Sequence, residues 1–231
     1  MKGAIDFGSK RIAYLISFSP RKSLGITVTP DSEVLVKAPL NISKEKIEQV
    51  VRKKASWIIK QQGFFLSFQP RTPERRFVSG ETHLYLGRQY RLKIISSAEE
   101  FVMLKGRFIE VYTADKTRAK DLMKNWYLQN AKRKFTEYAN PIIERFRKYK
   151  VEPSSIVLRE MPTRWGSCTP KNKIILNPEL IKAPIGCIEY VITHELCHLI
   201  HSNHTQKFLD LQSKEMPGWE KWKFKLETIM S

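Results

Sequence analysis

Short β-leaning runs occupy residues 12–18, 24–29 and 33–37, punctuated by Pro20, Gly25 and Pro30-Asp31-Ser32. A helix is predicted next. Ser43 suits its N-cap, Ile47, Val50, Val51, Ala55 and Ile58 form one apolar stripe, and Gly63 stands where a C-terminal cap belongs. A basic, proline-containing connector over residues 69–76 follows. Two hairpins are then predicted, 82–86 with 89–95 around Gly87-Arg88, and 101–104 with 107–112 around Lys105-Gly106.

The period changes from Asp115 onward. Ala119, Leu122, Met123, Trp126, Tyr127, Ala131, Phe135, Tyr138, Ala139, Ile142, Ile143 and Phe146 recur at three- and four-residue steps, which predicts a helix to about Tyr149. Pro141 should kink it or split it near Ala139. Residues 156–160 and 173–176 look like short strands. Residues 184–201 form a second strong helix with Pro184 at its start and Ile188, Val191, Ile192, Leu196 and Leu199 on its apolar side. Two short helices are expected over 204–230, broken at Met216-Pro217-Gly218. No internal repeat is visible in the sequence. The expected class is α+β: an N-terminal, mainly antiparallel β unit with one helix over residues 1–113, then a mainly helical core with a small sheet over 114–231.

The 231 residues can bury a substantial core. No apolar run is long enough to cross a bilayer, and polar residues interrupt the N-terminal stretch where a signal peptide would need an apolar core, so a cytoplasmic protein is expected. Three cysteines, Cys168, Cys187 and Cys197, are an odd number, which fits a reducing compartment and argues against a disulfide framework, and they contain no Cys-x-x-Cys pair, which argues against a thiolate zinc ribbon. The net charge is +18. Nucleic acid or an acidic partner is compatible with it, but so is a solvated lysine-rich surface, and the basic residues are spread along the whole chain.

Four of the five histidines fall between His194 and His204. His194 and His198, four apart on one helix, share a face about a turn apart and can reach one metal ion. Zinc accepts neutral imidazole and, in a catalytic site, takes three protein ligands. Glu195 follows the first histidine, so it projects beside the metal, as a general base should. His201 would stand about 10.5 Å further along a continuous helix than His194, too far for one ion. His204 is the better third ligand, because Ser202-Asn203 are poor helix propagators and Asn tolerates the left-handed turn that would swing His204 back. Glu215 and Glu220 are weaker alternatives. Arg164, Tyr190 and His201 are candidates to stabilise an oxyanion, and the spacing does not choose among them.

Arg164-Trp165-Gly166-Ser167-Cys168, Ile175-Leu176-Asn177, the run from Tyr190 to Leu199, Asn203-His204-Thr205 with Phe208, the segment from Tyr85 to Leu92, and Met216-Pro217 together resemble the YgjP-like metallopeptidases over nearly the whole chain. The resemblance implies a zincin-like core related to SprT-like proteases, zinc on residues matching His194, His198 and His204, and a base matching Glu195. Thr205 and Leu209 replace the family's usual Ser and Trp without touching the ligands. The resemblance also draws attention to Trp165-Gly166-Ser167-Cys168. The favoured reading is a buried Trp and Cys locking a strand beneath the helix. The other is a substrate-facing strand, with Gly166 allowing close backbone approach and Trp165 at the substrate. Cys168 as a fourth ligand is a minor variant.

The expected activity is zinc-dependent hydrolysis of peptide or protein substrates. The alternative is a nucleic-acid-associated SprT-like protein, or a protease acting on DNA- or RNA-bound proteins. A metal-stabilised module without turnover is the third reading, and Glu195 argues against it.

Overall fold

The computed structural model describes all residues except 9, 30, 67–74, 162–163 and 230–231, so most of the predicted connector over 69–76 lies outside the described residues. The chain is α+β and forms two compact units, Met1–Pro73 and Glu74–Met230.

In the first unit, β1 (Lys2–Phe7), β2 (Lys10–Phe18), β3 (Gly25–Val28) and β4 (Val34–Ala38) form one sheet in the order β1-β2-β4-β3. β1 is antiparallel to β2, β2 parallel to β4, and β3 antiparallel to β4, so the sheet is mainly antiparallel, as predicted, with a parallel central pairing. β1 was not predicted. Only Ile5 of it is fully buried, which leaves little alternation to read. The single predicted helix is two, α1 (Lys44–Lys53) and α2 (Ala55–Leu66), broken at Lys54. Ser43 does cap α1, its Oγ accepting from the Lys46 N–H at 3.3 Å. Gly63 lies inside α2 rather than at its end. Ile5, Ile12, Tyr14, Ile16, Val34, Val36, Ile47, Val51, Ala55 and Ile58 make this unit's own core.

The second unit opens with β5 (Thr82–Tyr85), β6 (Arg88–Ile95), β7 (Phe101–Lys105) and β8 (Phe108–Tyr112) in the order β5-β6-β8-β7. These strands were assigned by sequence to the N-terminal unit, with its boundary near 113. The compact units divide at 73/74 instead, because Tyr85, Leu92, Ile109 and Val111 are buried in one cluster with Met123, Tyr127 and Phe135 of the helix that follows. That helix, α3, runs unbroken from Ala119 to Phe146 through Pro141, so the predicted split does not occur. Its buried residues, Ala119, Met123, Tyr127, Ala131, Phe135, Ala139, Ile142 and Phe146, form one stripe on both sides of the proline. That packing offsets a proline cost of ~3 kcal/mol.

A three-stranded sheet follows, β10 (Gly166–Cys168), β11 (Lys173–Leu176) and β9 (Ser155–Leu158) in that order, with β10 on an edge. Asn177 caps a 3-10 turn, Pro178–Lys182, its Oδ1 accepting from the Glu179 N–H at 3.2 Å. Then come α4 (Ile185–Ile200), α5 (Gln206–Glu215) and α6 (Trp219–Ile229), with the last two separated at Met216-Pro217-Gly218 as predicted. α4 is buried along most of its length and packs against α3, α5, α6 and β10. No helix among the described residues is long and apolar enough to cross a membrane.

Candidate metal centre

α4 carries His194, Glu195 and His198 on its last two turns, and its apolar residues Ile188, Val191, Ile192 and Leu196 fix how it lies in the core. The helix stops at Ile200. His201 is its C-cap with extended backbone (φ −129°, ψ 105°), and the chain turns through 202–205 into α5. That turn brings His204 back. His194 Nε2 lies 3.2 Å from His198 Nε2 and 3.1 Å from His204 Nε2, and the candidate ligand atoms of the three residues all lie within 4.8 Å of one another.

The protons on these rings are assigned by what faces their other nitrogens. His194 Nδ1 is 2.8 Å from Gln212 Oε1, and His198 Nδ1 is 3.2 Å from the main-chain oxygen of His201. An oxygen of either kind only accepts, so both Nδ1 atoms carry the proton and both Nε2 atoms present lone pairs. Lone pairs about 3 Å apart repel unless a cation lies between them. Zinc at about 2.0–2.1 Å from each nitrogen would set tetrahedral ligands about 3.3 Å apart, close to the two short separations here. The donor set therefore fits a metal ion. Burial pushes His194 down to about 4, which keeps it neutral, as a ligand must be.

Phe208 of α5 closes the back of the cluster, with its ring centroid 5.0, 4.7 and 4.8 Å from those of His194, His198 and His204. Glu195 is buried and faces β10. Burial pushes its carboxyl up to about 7, opposed by the charge of Arg164. A Cβ on Gly166 would lie 2.6 Å from Glu195 Oε1 and 2.8 Å from Val191 Cγ1, so no side chain fits there without moving one of them. Arg164, Gly166, Ser167, Cys168, Glu195 and the three histidines line one groove.

The other sequence candidates separate. Tyr190 is buried beside the site, its ring 5.8 Å from His194 and stacked on Trp219 at 5.9 Å, and it lines a second depression with Arg164, Trp165 and Glu195. His201 stands outside the triad and contributes its main-chain oxygen. Trp165 and Cys168 are half-buried rather than fully buried, and burial raises the Cys168 thiol, helped by the charge of Glu195. Glu215 is taken up elsewhere, accepting from Tyr149 Oη at 2.5 Å and pairing with Lys148 at 2.9 Å, and Glu220 is exposed.

Two supporting residues had no assigned role in the sequence. Asn177 Nδ2 donates to the main-chain oxygens of Met161 and Arg164 at 2.8 and 3.2 Å, pinning the segment that presents Arg164 and Trp165. The Ile175-Leu176-Asn177 motif held that signal. Gln212 was invisible: it belongs to no motif, and its place depends on how α5 packs.

No curated protein sequence matches this chain. Among solved structures, the crystal structure of the metallopeptidase zymogen of Methanocaldococcus jannaschii jannalysin is similar at 17% identity, with a TM-score of 0.37 over 42% of this chain and 97% of that one. The metallopeptidase zymogen of Pyrococcus abyssi abylysin is similar at 23% identity, with a TM-score of 0.33 over 40% of this chain and 91% of that one. The family described as "YgjP-like, metallopeptidase domain" matches residues 22–229, nearly the whole chain. The chain belongs to the YgjP-like metallopeptidase family.

Proposed function

We propose that this chain is a zinc-dependent peptidase in which His194, His198 and His204 hold the metal and Glu195 is the general base. One observation carries the reading: lone-pair nitrogens of His194 and His198, fixed by acceptors behind them, converge with His204 beside a buried carboxylate. Zinc held there would act as a Lewis acid, polarising a carbonyl oxygen and lowering the pKa of a water.

The chain's own residues do the rest. Glu195 accepts a proton from the attacking water and returns it to the leaving amine nitrogen. Gly166 leaves Glu195 room to move between those two tasks. Arg164, which lines the groove with Glu195, is the favoured donor to the developing oxyanion, with Tyr190 second. β10 is an edge strand among the described residues and lines the groove, so an extended peptide can add to that edge while its scissile bond meets Glu195. The nucleic-acid reading rests on the +18 charge and on the SprT-like relationship that the resemblance implies, and it ranks below this one.

The test pairs wild type with Glu195→Gln. Zinc content is measured alongside cleavage of casein and a mixed peptide library. Both proteins should hold one zinc, and the variant should lose about 10²–10⁴-fold in rate. Zinc-loaded wild type and variant that are equally inert, or equally active, would remove Glu195 from the mechanism.

A further inference from the structure

The triad is held unevenly. His198 Nδ1 gives its proton to a main-chain oxygen, which no substitution removes. His204 is exposed, and among the described residues its one contact at hydrogen-bond distance is with His194. His194 alone depends on a side chain, Gln212, which is fully buried at 0% exposure and whose Oε1 lies 2.8 Å from His194 Nδ1.

Gln212 is an expensive choice for that position. Its Nε2 is buried and has no hydrogen-bond partner among the described residues. An unpartnered buried donor costs stability, and a leucine of similar length would avoid the cost. What the amide contributes is therefore its oxygen, whose one hydrogen-bond partner among the described residues is His194. Phe208, one helical turn earlier on the same face of α5, packs its ring against His194 from behind. Gln212 and Phe208 thus fix the rotation and the tautomer of one imidazole from a single helix.

We infer that Gln212 is a positioning residue for His194: its amide oxygen holds the proton on Nδ1 and so turns the Nε2 lone pair to the metal. The inference rests on the reading of His194 as a ligand. It also explains why an amide stands here. A carboxylate would accept the same proton, but as a buried charge with no cation of its own.

The account requires opposite effects on two measurements. Gln212→Leu removes the acceptor and also the orphaned donor. The metal-free variant should melt at the same temperature as wild type or higher, while its zinc Kd, measured by competition with a chromophoric chelator, weakens by about 10–100-fold. Gln212→Glu restores an acceptor and should return zinc affinity to within a few-fold of wild type. Nitrogen-15 NMR of the histidine rings gives a readout that needs no metal: His194 should be the Nδ1–H tautomer in wild type and a mixture in Gln212→Leu.

Wild-type zinc affinity in Gln212→Leu overturns the inference. So does a drop in melting temperature in both variants with no rescue by Glu, since that marks a packing role. If wild type takes up no zinc, the metal reading fails. The tautomer measurement on the same sample then still decides whether Gln212 sets the His194 ring.

Discussion

The sheet β1-β2-β4-β3 and the sheet β5-β6-β8-β7 are built alike. Each has a first antiparallel pair, a parallel step to its fourth strand, and a third strand antiparallel to that one, and each is followed by helix. What they support differs. The first closes on α1 and α2 around an apolar core. The second shares its core with α3, and that core continues into α4, which carries two of the three clustered histidines. Every buried polar or charged residue among those described, from His83 to Glu215, falls in the second unit. A repeated β architecture thus serves once as a closed module and once as a platform, and the mostly buried polar and charged side chains fall in the unit that carries the histidine cluster.

Substitutions matched across the two units test that division. The largest effects should come from the cores. Phe135→Ala in α3 should cost about 3–5 kcal/mol and Ile12→Ala in β2 about 2–5 kcal/mol. Only the first should lower zinc affinity. Unit-resolved hydrogen exchange with zinc titration measures both, and zinc binding lost in Ile12→Ala would break the comparison.

Two glycines give the next pair. A Cβ on Gly3 would lie 2.5 Å from the Tyr14 ring, and one on Gly166 would lie 2.6 Å from Glu195 Oε1. Gly3→Ala should destabilise the first unit by about 1–3 kcal/mol and spare activity. Gly166→Ala should keep zinc yet reduce kcat by about 10²-fold, through displacement of Glu195. Equal kcat in the two variants would show that Glu195 does not depend on the close approach of β10.

The smallest effect is acid sensitivity of the second unit. Burial alone would raise Glu215, but hydrogen bonds from Tyr149 and Lys148 and the charges of Lys148 and Arg145 outweigh it and hold the carboxyl below its ordinary 4.5. A carboxyl with a lower pKa folded than unfolded stabilises above its unfolded value, and that contribution is lost as pH falls through the folded value. Melting temperature should therefore fall as pH drops below 4.5, and Glu215→Gln should flatten that fall. An unchanged acid profile would remove Glu215 as its source.

The sequence exposed what is local. The 3.6-residue period and the four-residue histidine spacing marked α4 and two of the three triad residues, and helix geometry favoured His204 over His201. Long-range pairing was not legible. The parallel step between β2 and β4 depends on register between distant segments, and the division at 73/74 depends on which helix a sheet packs against. Pro141 does not end α3, because the buried stripe on both sides of it outweighs a local rule. Gln212 was hidden for the same reason, since an amide acquires a role only when α5 aims it at His194.

The most direct test of the central claim is zinc K-edge X-ray absorption on the loaded wild-type protein. The account predicts a first shell of nitrogen and oxygen at about 2.0–2.1 Å with the scattering pattern of three imidazoles. Sulfur at about 2.3 Å would put Cys168 in the shell, and a count of two imidazoles would remove one of His194, His198 and His204; either result would contradict it.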